Sequence, residues 1–205
     1  MSAILTAHDI SYERYFSSVF GCVNIDLKAG SKLLLTGVNG AGKTTLLKVL
    51  AGILRPTNGH IHSSKASYSG HQSGLQPELT VLENLQFYQR LHGQRPNNEN
   101  IRAVLSQLNA NELALKNVRH LSAGQHKRAA LARLCLIGHS VWLLDEPLVN
   151  LDQDSINKVL KILDQHTKAR GIVVIASHSL GLEAFSNYPR LQLPANKAAA
   201  KEATV

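Results

Sequence analysis

Three short stretches of the chain are apolar without alternation: residues 33–35, 141–144 and 172–176. Each is rich in Leu, Ile or Val. That pattern suits strands buried on both faces, as in a parallel sheet covered by helices. Around them, apolar residues recur at helical spacing. Leucines in 44–54 predict one helix, and 79–91, 101–108, 122–137 and 155–167 predict four more. Alternating strands and helices indicate an α/β fold. The N-terminal third differs: 4–12 and 23–27 predict short antiparallel strands, and 59–69 adds one more. Pro and Gly mark a turn at 55–59 and a polar connection at 93–100. There is no internal repeat. The pattern predicts one domain over 1–193 with a mainly parallel sheet, a small antiparallel N-terminal part and a helical part at about 75–120. The Ala- and Lys-rich stretch 194–205 predicts a frayed helix or a disordered tail.

Composition changes this picture little. A chain of 205 residues suffices for one sizeable core, and its 44% apolar and 18% charged residues are ordinary for a globular protein. The net charge of +8 favours anionic ligands without choosing among nucleic acid, lipid and phosphate. The basic residues are scattered along the chain, which fits a solvated basic surface. Cys22 and Cys135 sit among apolar neighbours without C-x-x-C spacing, so both are expected as free core thiols of a reducing compartment. No basic start leads into an apolar run, and no apolar run approaches the ~20 residues that span a bilayer. A cytoplasmic chain is expected, with any membrane association made through a partner.

The chemistry is local and explicit. Gly37-Val38-Asn39-Gly40-Ala41-Gly42-Lys43-Thr44-Thr45 matches G-x-x-x-x-G-K-[ST] between an apolar strand and a leucine-rich helix. Glycines let backbone N–H groups converge on an anion, and the helix start adds its dipole. Lys43 supplies a charge for the β- and γ-phosphates, and the Thr44 hydroxyl a ligand for Mg²⁺. A second signal, Val141-Trp142-Leu143-Leu144-Asp145-Glu146-Pro147, ends a buried strand in two acids. Such acids need a cation or a polar site. At the carboxyl end of a parallel strand they share a crevice with the phosphate loop. Asp145 is then a Mg²⁺ ligand, and Glu146 the group that polarises the attacking water. A third, Leu121-Ser122-Ala123-Gly124-Gln125, begins a helix with a good N-cap and a small anion-accepting turn.

These motifs together resemble the nucleotide-binding domain of the ATP-binding cassette (ABC) family over nearly the whole chain. Ser122, Gly124 and Gln125 fall in the family's signature, with Ala123 in place of its first glycine. By resemblance, Gln72 is the loop glutamine that touches Mg²⁺ and couples to a membrane partner. Asn150-Leu151-Asp152 is the D-loop, and His178 is the switch histidine that contacts the γ-phosphate. The resemblance also implies an aromatic residue stacked on adenine. Tyr12 is the favoured candidate, with Arg14 and Tyr15 as alternatives.

Gly70-His71-Gln72 with Gly74-Leu75, the stretch 79–88, and 121–125 running into 129–134 resemble one branch more narrowly. That branch is the ATP-binding subunits of the cytochrome c maturation haem exporter, from which 59–72 departs by being short. The resemblance implies Mg²⁺-dependent ATP hydrolysis and a homodimer that closes on ATP. It also implies integral membrane permease subunits as partners, and a peripheral place on the inner face of the bacterial membrane. Nucleic acid is not expected as a direct partner. Part of the apolar set Leu75, Leu79, Leu82, Leu85 and Phe87 is expected to stay exposed and dock the membrane subunit. Two other readings stay open: the ATPase of another exporter, and a soluble ABC ATPase acting on ribosomes or nucleic acid.

Overall fold

The computed structural model describes residues 3–70, 73–178 and 181–194. Strands β1 (Ile4–Arg14) and β2 (Ser17–Lys28) form an antiparallel hairpin. The two residues between them, Tyr15 and Phe16, both have positive φ, the geometry that matches strand twist in a tight hairpin. Strand β4 (Asn58–Ser63) pairs antiparallel with the other edge of β1, giving the order β2-β1-β4.

The second sheet has the order β5-β6-β7-β3-β8, and all its pairings are parallel. Its strands are β3 (Lys32–Thr36), β5 (Ala66–Ser69), β6 (Val141–Asp145), β7 (Ile172–Ala176) and β8 (Arg190–Gln192). Every residue of β6 and β7 is buried, which is why neither shows alternation in the sequence. Their side chains nevertheless divide between two cores. Val141, Leu143, Ile172, Val174 and Ala176 face helix α1 (Lys43–Leu50) and the N-terminal sheet. Trp142, Leu144, Val173 and Ile175 face the other helices: α2 (Val81–Leu91), α3 (Asn98–Gln107), α4 (Ala123–Ile137) and α5 (Gln153–Lys168).

Capping sets several helix starts. Thr80 with Glu83, and Ser122 with Gln125, form reciprocal capping boxes on α2 and α4. Asp152 accepts from the Ser155 amide at 2.8 Å, so α5 begins two residues before its expected start. Helix α1 ends at Leu50 rather than at 54, because the chain turns through Gly52 at φ 71. The single strand expected over 59–69 is two strands in different sheets, broken at Ser64–Lys65. Strand β8 and the short helix α6 (Gly181–Ala184) were not expected. The two cysteines are free, but Cys22 is exposed and Cys135 half-buried, so Cys22 is not the core thiol expected. Val23 and Ile25 take the buried face of β2, and alternation turns Cys22 outward beside Asn24.

Candidate active site

The phosphate loop joins β3 to α1. Gly42 caps the helix at φ 92, where a β-carbon would lie 3.0 Å from the Val19 carbonyl oxygen of β2. Only glycine takes that backbone freely, and only its lack of a side chain lets the hairpin approach so closely. The buried Lys43 ammonium donates to the Gly37 oxygen at 2.7 Å and to the Val38 oxygen at 3.1 Å. Carbonyls compensate a buried cation only in part, so the site favours an anion.

From the other side come the acids at the end of β6. Asp145 and Glu146 are 3% and 5% exposed, and buried carboxylates are costly without donors. The Thr44 hydroxyl donates to Asp145 Oδ2 at 2.7 Å, across 101 residues of sequence. Tyr68 of β5 also hydrogen-bonds Asp145; burial first, and then the charge of that carboxylate, push its hydroxyl pKa up to about 12. Glu146 stands at φ 50, a backbone that costs a non-glycine residue about 1–3 kcal/mol and occurs where geometry serves a site. Its Oε1 accepts from the His178 amide at 2.8 Å and also contacts His178 Nδ1, while Oε2 accepts from Ser177 Oγ at 3.1 Å. Lys127 of α4 donates to the Asp145 carbonyl oxygen at 3.3 Å. Burial lowers the pKa of its ammonium, and the charges of Asp145 and Glu146 oppose that shift.

A cleft of about 350 Å³ gathers Val19, Asn39, Gly40, Gly42, Lys43, Thr44, Thr45, Asp145, Glu146 and His178. Most of the residues expected from the sequence therefore meet. Ala41 is buried beneath the loop and Val38 points out to solvent. The expected Gln72 lies outside the described residues. Tyr12 does not line the cleft: its ring stacks on Phe20, its register partner on β2, at 6.3 Å between centroids. Strand alternation puts it on the face of the buried Ile10, where it stays half-buried. Arg14 instead lies over the exposed Tyr15 ring at the hairpin turn.

Ser122, Gly124 and Gln125 are also absent from the cleft of their own chain. They begin α4 beside a separate cavity of about 250 Å³, lined by Gly70, Ser73, His126, Lys127, Glu146 and Asn150 among others. Gly124 is required there, because a β-carbon would lie 2.6 Å from the Asn150 carbonyl oxygen. Ser177, Lys127, Tyr68 and Val19 were missed in the sequence. Only Ser177, next to His178 at the end of an apolar run, carries a local signal.

The Thr44 hydroxyl and the Asp145 carboxylate are hard oxygen donors and fit Mg²⁺, which takes few protein ligands and shares the rest with water and phosphate. Among the described residues no group of three or more His, Cys, Asp or Glu could hold a metal ion.

Of the expected docking set, Leu75 and Leu85 belong to the core and Leu79 and Leu82 are half-buried. Phe87 is exposed, as is Leu91 one turn further along α2. Among the described residues no helix is long and apolar enough to cross a membrane.

Comparison with known proteins places these observations. The family model described as ABC transporter matches residues 20–149. The cytochrome c biogenesis ATP-binding export protein CcmA of Paracoccus denitrificans is 43% identical over 182 residues, covering 87% of this chain and 85% of its own. The protein of the same name from Xanthomonas axonopodis pv. citri is 43% identical over 187 residues, covering 85% and 86%. Among solved structures, an ABC transporter ATP-binding protein from Pyrococcus furiosus superposes with a TM-score of 0.80 at 28% identity, covering 93% of this chain and 97% of that one.

Proposed function

The chain belongs to the ABC transporter family, in the group of the cytochrome c biogenesis ATP-binding export proteins, and from that premise we propose that it binds and hydrolyses MgATP in the Lys43–Asp145 cleft to drive a membrane partner in cytochrome c biogenesis. The observation that carries the site assignment is the 2.7 Å contact of Thr44 with Asp145, which brings the phosphate loop and the acidic strand end together.

Loop amides and the start of α1 receive the phosphates, and Lys43 exchanges two carbonyls for phosphate oxygens. Thr44 and Asp145 hold Mg²⁺, with Gln72 as a further ligand by resemblance; the ion supplies charge neutralisation on the phosphates when bound. Glu146 takes the proton of the attacking water. The His178 amide and Ser177 fix its two oxygens, and the half-exposed His178 ring faces the γ-phosphate. With Ser122, Gly124 and Gln125 outside this cleft, they close over the ATP of a second copy in a two-fold dimer. The base has no committed partner within the described residues; the hairpin turn of Arg14 and Tyr15 supports it better than Tyr12 does.

The exposed face of α2 at Phe87 and Leu91 docks an integral permease subunit of the cytochrome c maturation complex. Haem export, or release of a haem-loaded chaperone, is the work so driven. The chain is then a peripheral protein of the cytoplasmic face. The test is to express it with and without that subunit and fractionate the cells. Wild type should sediment with membranes only when the subunit is present, whereas Phe87→Glu should stay soluble and still bind ATP. Equal membrane recovery of both forms excludes this face.

A further inference from the structure

We propose that Lys127 is a positioning residue of the hydrolytic site, tying the signature turn of α4 to the acidic end of β6 in the same chain; this rests on the reading of the cleft as the site of ATP hydrolysis. Lys127 stands one turn into α4, after the capped Ser122 start. Its ammonium meets the Asp145 carbonyl oxygen at 3.3 Å.

The strand geometry explains why a side chain is wanted there. The Glu146 amide donates to Ala176 of β7 at 2.9 Å. Across a trans peptide the Asp145 carbonyl then points the opposite way, toward β5. Pairing of β5 with β6 ends at Ser69 and Leu144, one residue short of Asp145. Lys127 therefore supplies a donor just where the ladder stops. It also brings a positive charge to two adjacent buried carboxylates. Its neighbour Arg128 turns away, donating to the Asn109 carbonyl and facing Glu112.

A second, independent contact fixes the same turn. Gly124 sits so close to the Asn150 carbonyl oxygen that a β-carbon would come within 2.6 Å. Lys127, Glu146 and Asn150 also line one small cavity. The first two turns of α4 thus rest on the segment that carries Glu146. Any shift of that helix start on meeting a second copy moves the Asp145 carbonyl through Lys127. The role is in turnover, not in holding nucleotide, because Lys127 lines none of the phosphate cleft.

The experiment uses the full chain with its membrane partner and compares Lys127→Met, which keeps length without charge, with Lys127→Arg. For Lys127→Met, the melting temperature should fall by a few degrees because the Asp145 carbonyl loses its donor, ATP affinity should stay within about threefold, and kcat should fall about tenfold or more at unchanged KM. Lys127→Arg should recover most of the rate. A wild-type kcat in Lys127→Met, an arginine variant as slow as the methionine one, or a loss of ATP affinity as large as the loss of kcat would each overturn the proposal. Glu146→Gln, run alongside, separates the two claims. Normal turnover there overturns the reading of the cleft and this inference with it. Abolished turnover there, beside normal turnover in Lys127→Met, overturns the inference alone.

Discussion

Thr44→Ala removes the side-chain hydroxyl together with its methyl group and tests, with Thr44→Ser as the control that keeps the hydroxyl, whether Thr44 and Asp145 form the metal edge of the cleft. The hydroxyl donates to a carboxylate that is 3% exposed, at 2.7 Å. A hydrogen bond to a charged group is worth about 1.5–3 kcal/mol. If Mg²⁺ takes that hydroxyl as a ligand, a loss of similar size appears in MgATP affinity, about tenfold to 10²-fold at about 1.4 kcal/mol per decade. Lys43 and the loop amides are untouched, so affinity for ATP in EDTA should change by less than about threefold, and a larger effect in Mg²⁺ is the signature. The Asp145 oxygen left without its donor should also lower the melting temperature, by roughly 2–4 °C per kcal/mol for a chain of this size. Thr44→Ser should restore both. The assay is an equilibrium titration with a fluorescent ATP analogue, in Mg²⁺ and in EDTA, for all three proteins. Equal losses in the two buffers, or no loss in either, would refute the metal-edge reasoning.

Two further outcomes follow from the same geometry. Lys43→Ala removes the only side-chain cation lining the phosphate cleft among the described residues and should abolish measurable ATP binding; near-normal affinity by titration would sink the phosphate-loop assignment. Acidification should destabilise the fold before any carboxylate matters. Burial lowers the pKa of His166, His126 and His92, so the unfolded chain binds more protons than the native one as pH falls through about 6.5. Their contribution is complete above that pH and is lost below it. Asp152 and Asp164, lowered by hydrogen bonds from Ser155 and Lys168, keep theirs until roughly pH 4. The melting temperature should therefore drop between pH 7.5 and 5.5, and a flat or rising curve would contradict the assignment.

What the sequence disclosed follows from locality. Strands β3, β6 and β7 announce themselves because burial on both faces removes alternation. The phosphate loop is one contiguous turn, and Glu146 and His178 sit just past the ends of β6 and β7, whose register of Asp145 with Ala176 brings them together. Strand β8 is three partly exposed residues and carries no apolar run. Strands β4 and β5 merged in the sequence because only Ser64 and Lys65 separate them, and nothing local says that they enter different sheets. Tyr68 and Lys127 were hidden for the same reason. One reaches Asp145 through the β5–β6 register and the other through the seat of α4 on the Asn150 turn, and neither exists before the chain is folded. The contact of Tyr12 with Phe20 was equally hidden, because it depends on the pairing of β1 with β2.

The central claim, that Glu146 acts on water in this cleft while the rest of the site holds nucleotide, is tested most directly by single-turnover hydrolysis in Glu146→Gln. The amide can still accept from the His178 N–H and donate to Ser177 Oγ, so the site keeps its shape and loses only the base. ATP affinity should remain within about threefold, and the rate of γ-phosphate cleavage should fall by about 10²-fold or more. A single-turnover rate equal to that of the wild type would place the base elsewhere and contradict the account.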